Sequence, residues 1–275
     1  MTNKNISVIK RILEIDKRLI WIIILILLSV PLVHPWGLPI KVDQYVKDYY
    51  NAIENLPPGS LVVCRIDIEA GNLGEQNDQA VTTLQHLIDK NIPFIEVCFD
   101  RADSAITFEK VFSQVNKKGK IYGVDWVNVG YMEGKESALA AFAKDFTYPG
   151  KDQYGNVLND LPLLKKYKSM NDVKLIIGSG DSTIRQWAVP YNVKMNSFVL
   201  GIFFGDAVNY YNAGITVGIL SGLPGAAQYQ FLRGTPGLAV AAMDALSASQ
   251  IFLIGLLIIT NAAYIYDQNN RRRKQ

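Results

Sequence analysis

Only two cysteines and two histidines occur in 275 residues, and that scarcity removes several kinds of chemistry at once. Cys64 and Cys98 sit in apolar runs, Val62-Val63-Cys64 and Val97-Cys98-Phe99, and read as buried thiols that pack as small hydrophobes. They cannot build a disulfide framework, although an outside location would permit one bridge if their Cβ vectors faced each other. His34 falls beside one apolar run and His86 on an expected helix, so no His-Cys-carboxylate spacing suits a metal and none is expected. A Cys-His nucleophilic pair would need an exposed thiolate, which mid-strand cysteines do not offer. Phosphate signatures are missing too. Gly178-Ser179-Gly180-Asp181-Ser182-Thr183 lacks the lysine of a P-loop and is not G-x-G-x-x-G. No motif names a cofactor.

Charge is absent from two long stretches, Leu19 to Ile40 and Ala245 to Tyr266, each 22 residues. At about 1.5 Å per residue, either is long enough as a helix to cross roughly 30 Å of hydrocarbon. Lys4, Lys10, Arg11, Lys17 and Arg18 precede the first, and Arg271, Arg272, Arg273 and Lys274 follow the second. Lys and Arg stay on the cytoplasmic side, so residues 1–18 and 267–275 are expected as cytoplasmic tails and the middle of the chain outside the cell membrane. The exit Ser29-Val30-Pro31-Leu32-Val33-His34 lacks a small-x-small cleavage pattern, which favours an uncleaved signal anchor over a removed leader. Ser247, Ser249, Gln250 and Asn261 in the second run suit packing against another helix. The expected partners are therefore the bilayer and either a membrane protein or a second copy, met through that second span.

The two tails hold nine of the 28 basic and three of the 25 acidic residues, leaving 19 and 22 between them. A mildly acidic domain has no clustered cations to release counterions from phosphate, so nucleic acid is not an expected partner.

From Leu61 the chain alternates continuous apolar runs with helical pieces. The runs Leu61–Ile68, Phe94–Phe99, Ile121–Val129, Val173–Ile177, Phe198–Phe204 and Thr216–Leu220 predict strands covered on both faces. The pieces Gln76–Lys90, Thr107–Lys117, Lys135–Lys144, Ser182–Ala188, Ala207–Ala213 and Ala226–Leu232 predict the crossovers. The fold class that follows is α/β: a Rossmann-like, mostly parallel sheet with helices on both faces, flanked by two transmembrane helices. Residues 41–60 form a juxtamembrane helix and turn ending at Leu56-Pro57-Pro58-Gly59, and 61–244 form the domain. Residues 146–172 break the rhythm and read as an irregular insertion, a lid or docking loop. Gly214, Gly218 and Gly222 recur every fourth residue, but Asn209, Asn212 and Gln228 argue against a third span there.

Ligands of open parallel sheets sit beyond the carboxyl ends of the strands. Asp67, Asp100, Asn128, Ser179 and Asp181 fall there, as do Gly222 and Gly225 of the turn Gly222-Leu223-Pro224-Gly225. These are the candidate ligand-binding residues. Taken singly, each has a plainer role as a helix cap or a tight turn. His86 reads as a packed histidine rather than a base, and no residue is identified as catalytic. A serine–lysine membrane peptidase is a weak alternative, since Leu61 to Gly71 lacks its glycine pair and no Ser-Gly-Gly turn follows.

Three stretches, Leu84-Gln85-His86-Leu87, Tyr122 to Tyr131 and Gly218 to Tyr229, resemble an uncharacterised family of prokaryotic membrane-anchored α/β proteins ending in a transmembrane helix. The resemblance implies architecture and no established activity. Family members carry acidic residues beside the tyrosine where this chain has Gln228 and Gln230. The combined expectation is a two-span protein presenting its α/β domain outside as a non-enzymatic subunit or binding module. The alternative is a membrane-anchored hydrolase or small-ligand sensor using the strand-end carboxylates.

Overall fold

The computed structural model describes residues 14–180, 186–187 and 189–272. They fall into two units, one of Ile40–Ala239 and one of Met1–Pro39 with Val240–Gln275.

The unit Ile40–Ala239 is built on six strands: β1 (Leu61–Arg65), β2 (Phe94–Cys98), β3 (Trp126–Tyr131), β4 (Val173–Ser179), β5 (Met195–Val199) and β6 (Thr216–Ser221). Their order is β3-β2-β1-β4-β5-β6, with every neighbouring pair parallel. This is the Rossmann arrangement, and its order reverses direction between β1 and β4. β1, β2 and β5 are buried at every position, which fits their mainly apolar sequence, broken only by Arg65, Glu96, Asn196 and Ser197.

Helices cover both faces. Tyr49, Phe108, Phe112 and Tyr229 lead the core on one side, and Phe142, Phe146, Leu164 and Trp187 on the other. The first cover comes from α2 (Gln44–Glu54), α3 (Leu73–Asp89), α4 (Ser104–Phe112) and α8 (Gly222–Leu232); α5 (Lys135–Lys144), α6 (Pro162–Lys166) and α7 (Phe204–Asn212) complete the described helices of this unit longer than one turn. The expected helix Ser182–Ala188 lies mostly outside the described residues.

Two strands start away from their expected places. β3 begins at Trp126 because Ile121–Asp125 is a turn: the Asp125 carboxylate accepts the Ile121 amide at 2.8 Å, and Gly123 has φ +77°. β5 begins at Met195 rather than Phe198, since its polar Asn196 and Ser197 are fully buried, with Asn196 Nδ2 donating to the Tyr49 carbonyl at 2.9 Å. The apolar run beyond it turns out of the sheet and leaves Ile202 82 % exposed.

The insertion 146–172 is packed rather than poised. Phe146, Leu158, Leu163, Leu164 and Met170 are buried in the core, and Tyr167 donates to the Gly59 carbonyl at 2.7 Å. Tyr122 donates to Asp152, and the Gln153 amide donates to the Asn128 carbonyl at 3.1 Å, tying the segment to the β3 edge. Its buried side chains cover the sheet where a helix would otherwise lie.

Gly218 is required by close approach. A Cβ there would come within 2.2 Å of Tyr49 Cα, so α2 rests directly on the β6 backbone. The glycine spacing therefore serves a strand and its covering helix, not a helix pair in lipid.

In the other unit, α1 (Lys17–Val33) is 17 residues long and capped by Asp16, whose carboxylate accepts the Arg18 amide at 2.9 Å. It ends seven residues before the expected limit at Ile40, where Pro35, the left-handed Gly37 (φ +65°) and Pro39 stop helical hydrogen bonding. The last helix, α9 (Leu238–Arg272), has 35 residues and outruns the expected 245–266 at both ends. Among the described residues one helix, Leu238–Asn270, is long and apolar enough to cross a membrane, where two had been expected. Asp244 lies within it, 1 % exposed, and accepts the amides of Trp36, Gly37 and Leu38 at 2.8, 2.9 and 3.0 Å. Ser249, Thr260 and Asn261 bond to carbonyls of their own helix three or four residues back, so they are satisfied without a neighbouring helix.

Candidate functional site

The crevice at the β1/β4 switch point opens as a pocket of about 210 Å³. Its wall includes Asp67, Asp100, Arg101, Ser179 and, on an apolar side, Leu200 and Phe203. Three of the expected ligand residues, Asp67, Asp100 and Ser179, thus meet in one place.

Arg65 organises the floor. It ends β1 with no solvent exposure, a charged group sealed at the tip of an apolar strand. Nε donates to Asp67 Oδ2 at 2.6 Å, Nη1 to Gln186 Oε1 at 2.9 Å, and Nη2 pairs with Asp100 Oδ2 at 2.5 Å. The guanidinium also lies 5.8 Å from the Phe99 ring centre. A buried cation is tolerable only with such partners. Burial pushes the Asp67 carboxyl above the usual range, with Arg65 pulling the other way.

Behind Asp67 stands Glu96 of β2, fully buried. Its Oε1 accepts the Ile66 amide at 3.0 Å and lies 3.4 Å from Cys98 Sγ. Oε2 has no hydrogen-bond partner, and neither does Asp67 Oδ1. Burial lifts the Glu96 carboxyl well above its ordinary value, helped by the nearby Asp67 charge, which favours its neutral form. Burial likewise pushes both Cys64 and Cys98 up, with Glu96 adding to it, and both are free thiols.

Other expected site residues lie elsewhere. Asn128 Nδ2 donates to Glu109 Oε1 at 2.7 Å and its Oδ1 accepts the Gly130 amide at 2.9 Å, joining a cluster on the β3 edge with Tyr154. Asn128 holds the bulge in β3 and does not line the pocket. Gly222 (φ +55°) and Gly225 are packing positions. A Cβ on Gly222 would come within 2.7 Å of Glu75 Oε1, and one on Gly225 within 3.0 Å of the Leu220 backbone. The Gly222 carbonyl is already taken by Gln79 Nε2 at 2.7 Å. Asp181 lies outside the described residues.

A second buried cluster involves His86. Nδ1 shares a hydrogen bond with Tyr229 Oη at 2.6 Å, Nε2 pairs with Glu54 at 2.9 Å, and the ring stacks on Tyr50 at 5.2 Å. Burial lowers its pKa against the pull of Glu54, so it is neutral. Two stretches that carried the family resemblance, around His86 and Tyr229, touch here. Gln228 and Gln230 point to different partners: Gln228 makes two 2.9 Å bonds to Asp43, and Gln230 Oε1 accepts the Gly237 amide at 3.0 Å. Among the described residues no group of three or more His, Cys, Asp or Glu is placed to hold a metal ion.

Known protein families, characterised proteins and solved structures were compared with this chain. None matches. Function rests on the site itself.

A dinucleotide is a poor fit to this crevice. The β1–α3 turn carries no G-x-G-x-x-G, and acidic Asp67, Glu69 and Asp100 ring the position a diphosphate would take. The sequence signals missed earlier were Arg65 and Glu96, single charges inside otherwise apolar strands; such a residue demands a buried partner.

Proposed function

We propose that this chain is a two-span membrane protein that carries its Rossmann-like domain outside the cell as a non-enzymatic binding module, with the switch-point pocket as its ligand site. The convergence of Asp67, Asp100 and Ser179 on one pocket carries the reading. Among the described residues neither cysteine nor His86 serves that wall: the cysteines are buried thiols, and His86 is neutral and engaged elsewhere. The two carboxylates most suited to hydrolysis are committed to Arg65.

The first span draws on α1, whose Leu19, Trp21, Leu25 and Val33 are exposed. Its 17 helical residues give about 25 Å, short by roughly 5 Å of hydrocarbon, a mismatch that local thinning absorbs at modest cost. Lipid and a membrane partner, or a second copy, meet the protein through α1 and α9. The resemblance to membrane-anchored α/β proteins points the same way.

Protease added to sealed spheroplasts should digest the domain and spare both ends, and the intact protein should leave mild detergent with a partner or as an oligomer. A domain protected until lysis would overturn the topology, and a strictly solitary protein would overturn the subunit role.

A further inference from the structure

We infer that the switch-point pocket recognises a small organic ammonium ion, a primary amine on a short body. The inference rests on the binding-module reading and adds the ligand class.

Both guanidinium groups at the pocket are already engaged by carboxylates. Arg65 is shared among Asp67, Asp100 and Gln186, and Arg101 is held by Glu69 at 2.8 Å and Asp103 at 3.0 Å. Asp67, by contrast, is 4 % exposed at its side chain and keeps Oδ1 without a partner. Gln76 of α3 is 5 % exposed, lines the same pocket and makes no side-chain hydrogen bond among the described residues. A buried polar atom without a partner costs about 1–3 kcal/mol, so the Asp67 oxygen marks a place where an incoming donor completes the bonding, with the Gln76 amide on the same wall.

Charge selects the group. Three carboxylates, Asp67, Glu69 and Asp100, border the cavity against Arg101 on its wall and Arg65 at its floor, so one negative charge is left over and a cation is favoured over an anion. An ammonium brings donors only, which suits the vacant Asp67 oxygen and the Gln76 carbonyl. Volume limits the body: about 210 Å³ equals roughly seven waters at about 30 Å³ each. Leu200 and Phe203 supply an apolar side for a short carbon chain or ring face.

The full chain, purified in detergent, would be titrated with putrescine and glucosamine against their neutral counterparts 1,4-butanediol and glucose, following heat of binding. Both amines should bind at least about tenfold more tightly than their counterparts, the factor that about 1.4 kcal/mol of charge-assisted bonding supplies. Asp67→Asn should remove that preference. Because Asp67 also steadies Arg65, Gln76→Leu serves as a second variant that leaves the ion pairs intact, and it should weaken amine binding about tenfold. Equal binding of neutral and cationic probes would overturn the ammonium assignment while leaving a binding module in place. No heat from any amine, or full affinity in both variants, would overturn the site itself, whatever the topology experiment shows.

Discussion

Arg65 and His86 are both basic side chains sealed inside the domain, yet their surroundings were built to opposite ends. Arg65 keeps its charge and is surrounded by carboxylates, and the cluster it anchors borders an open pocket. His86 gives its charge up and is closed in by Tyr50, Tyr229 and Glu54 between three helices. An ion that stays charged leaves polar atoms over, such as Asp67 Oδ1 and Glu96 Oε2. A neutral ring between two hydrogen-bonding partners leaves neither of its nitrogens over. A binding function needs the first arrangement, and rigid helix packing is served by the second.

The largest effect should follow from removing the cation. Arg65→Leu leaves Asp67 and Asp100 beside an apolar hole, and the unfolding free energy of the detergent-solubilised chain should fall by about 3–5 kcal/mol. A smaller loss would mean the carboxylates re-solvate through the pocket. Next, Tyr229→Phe strips one partner from His86 and should cost about 1–3 kcal/mol in the same measurement, without altering ligand binding.

The pH response separates the two clusters by sign. His86 has a lowered pKa in the fold, so below about 6.5 the unfolded chain takes up a proton that the folded chain resists, and stability falls with decreasing pH. Glu54, whose pKa is lowered by His86 and Lys90, adds to that loss at more acid pH. Arg233 and Lys90 also press on His86 and make its protonation harder. Glu96 runs the other way. Its carboxyl is raised, so above about 4.3 the unfolded chain loses a proton that the folded one retains, and stability declines as pH rises. Glu96→Gln should flatten the decline that begins above about 4.3 in a melting-midpoint profile, and His86→Phe the fall with acid below about 6.5. If both variants flattened the same limb, the contrast would fail.

The smallest effect is expected at Gln228→Glu. The new carboxylate would face Asp43, losing the donor to Asp43 Oδ2, for about 1 kcal/mol.

Much of the sheet was legible because strands buried on both faces cannot hide their hydrophobicity. β1, β2, β4 and β6 fall where the apolar runs begin. β5 was misplaced because Asn196 and Ser197 are polar yet buried, and only the Tyr49 carbonyl of a distant helix makes that possible. The carboxylates at strand ends were visible singly, but the meeting of Asp67, Asp100 and Ser179 depends on a strand order that no local pattern encodes. Asn128 was expected at a strand end, but β3 starts only at Trp126, so it lies inside the strand and holds the Gly130 amide at the bulge. The first span was overestimated because composition counts apolar residues and ignores what Pro35, Gly37 and Pro39 do to a helix.

Asp244 interrupted the apolar run in the sequence and so set where the second span was expected to begin. Its grip on three amides fastens positions 208, 207 and 206 apart in the chain. The polypeptide between them is therefore a closed ring secured without a covalent bond. Should the clasp survive while the domain melts, the loosened coil would remain cinched at its base. By loop-closure reasoning the coil would forgo entropy worth about 5 kcal/mol, comparable to a long-range disulfide that this cysteine-poor chain does not need to make.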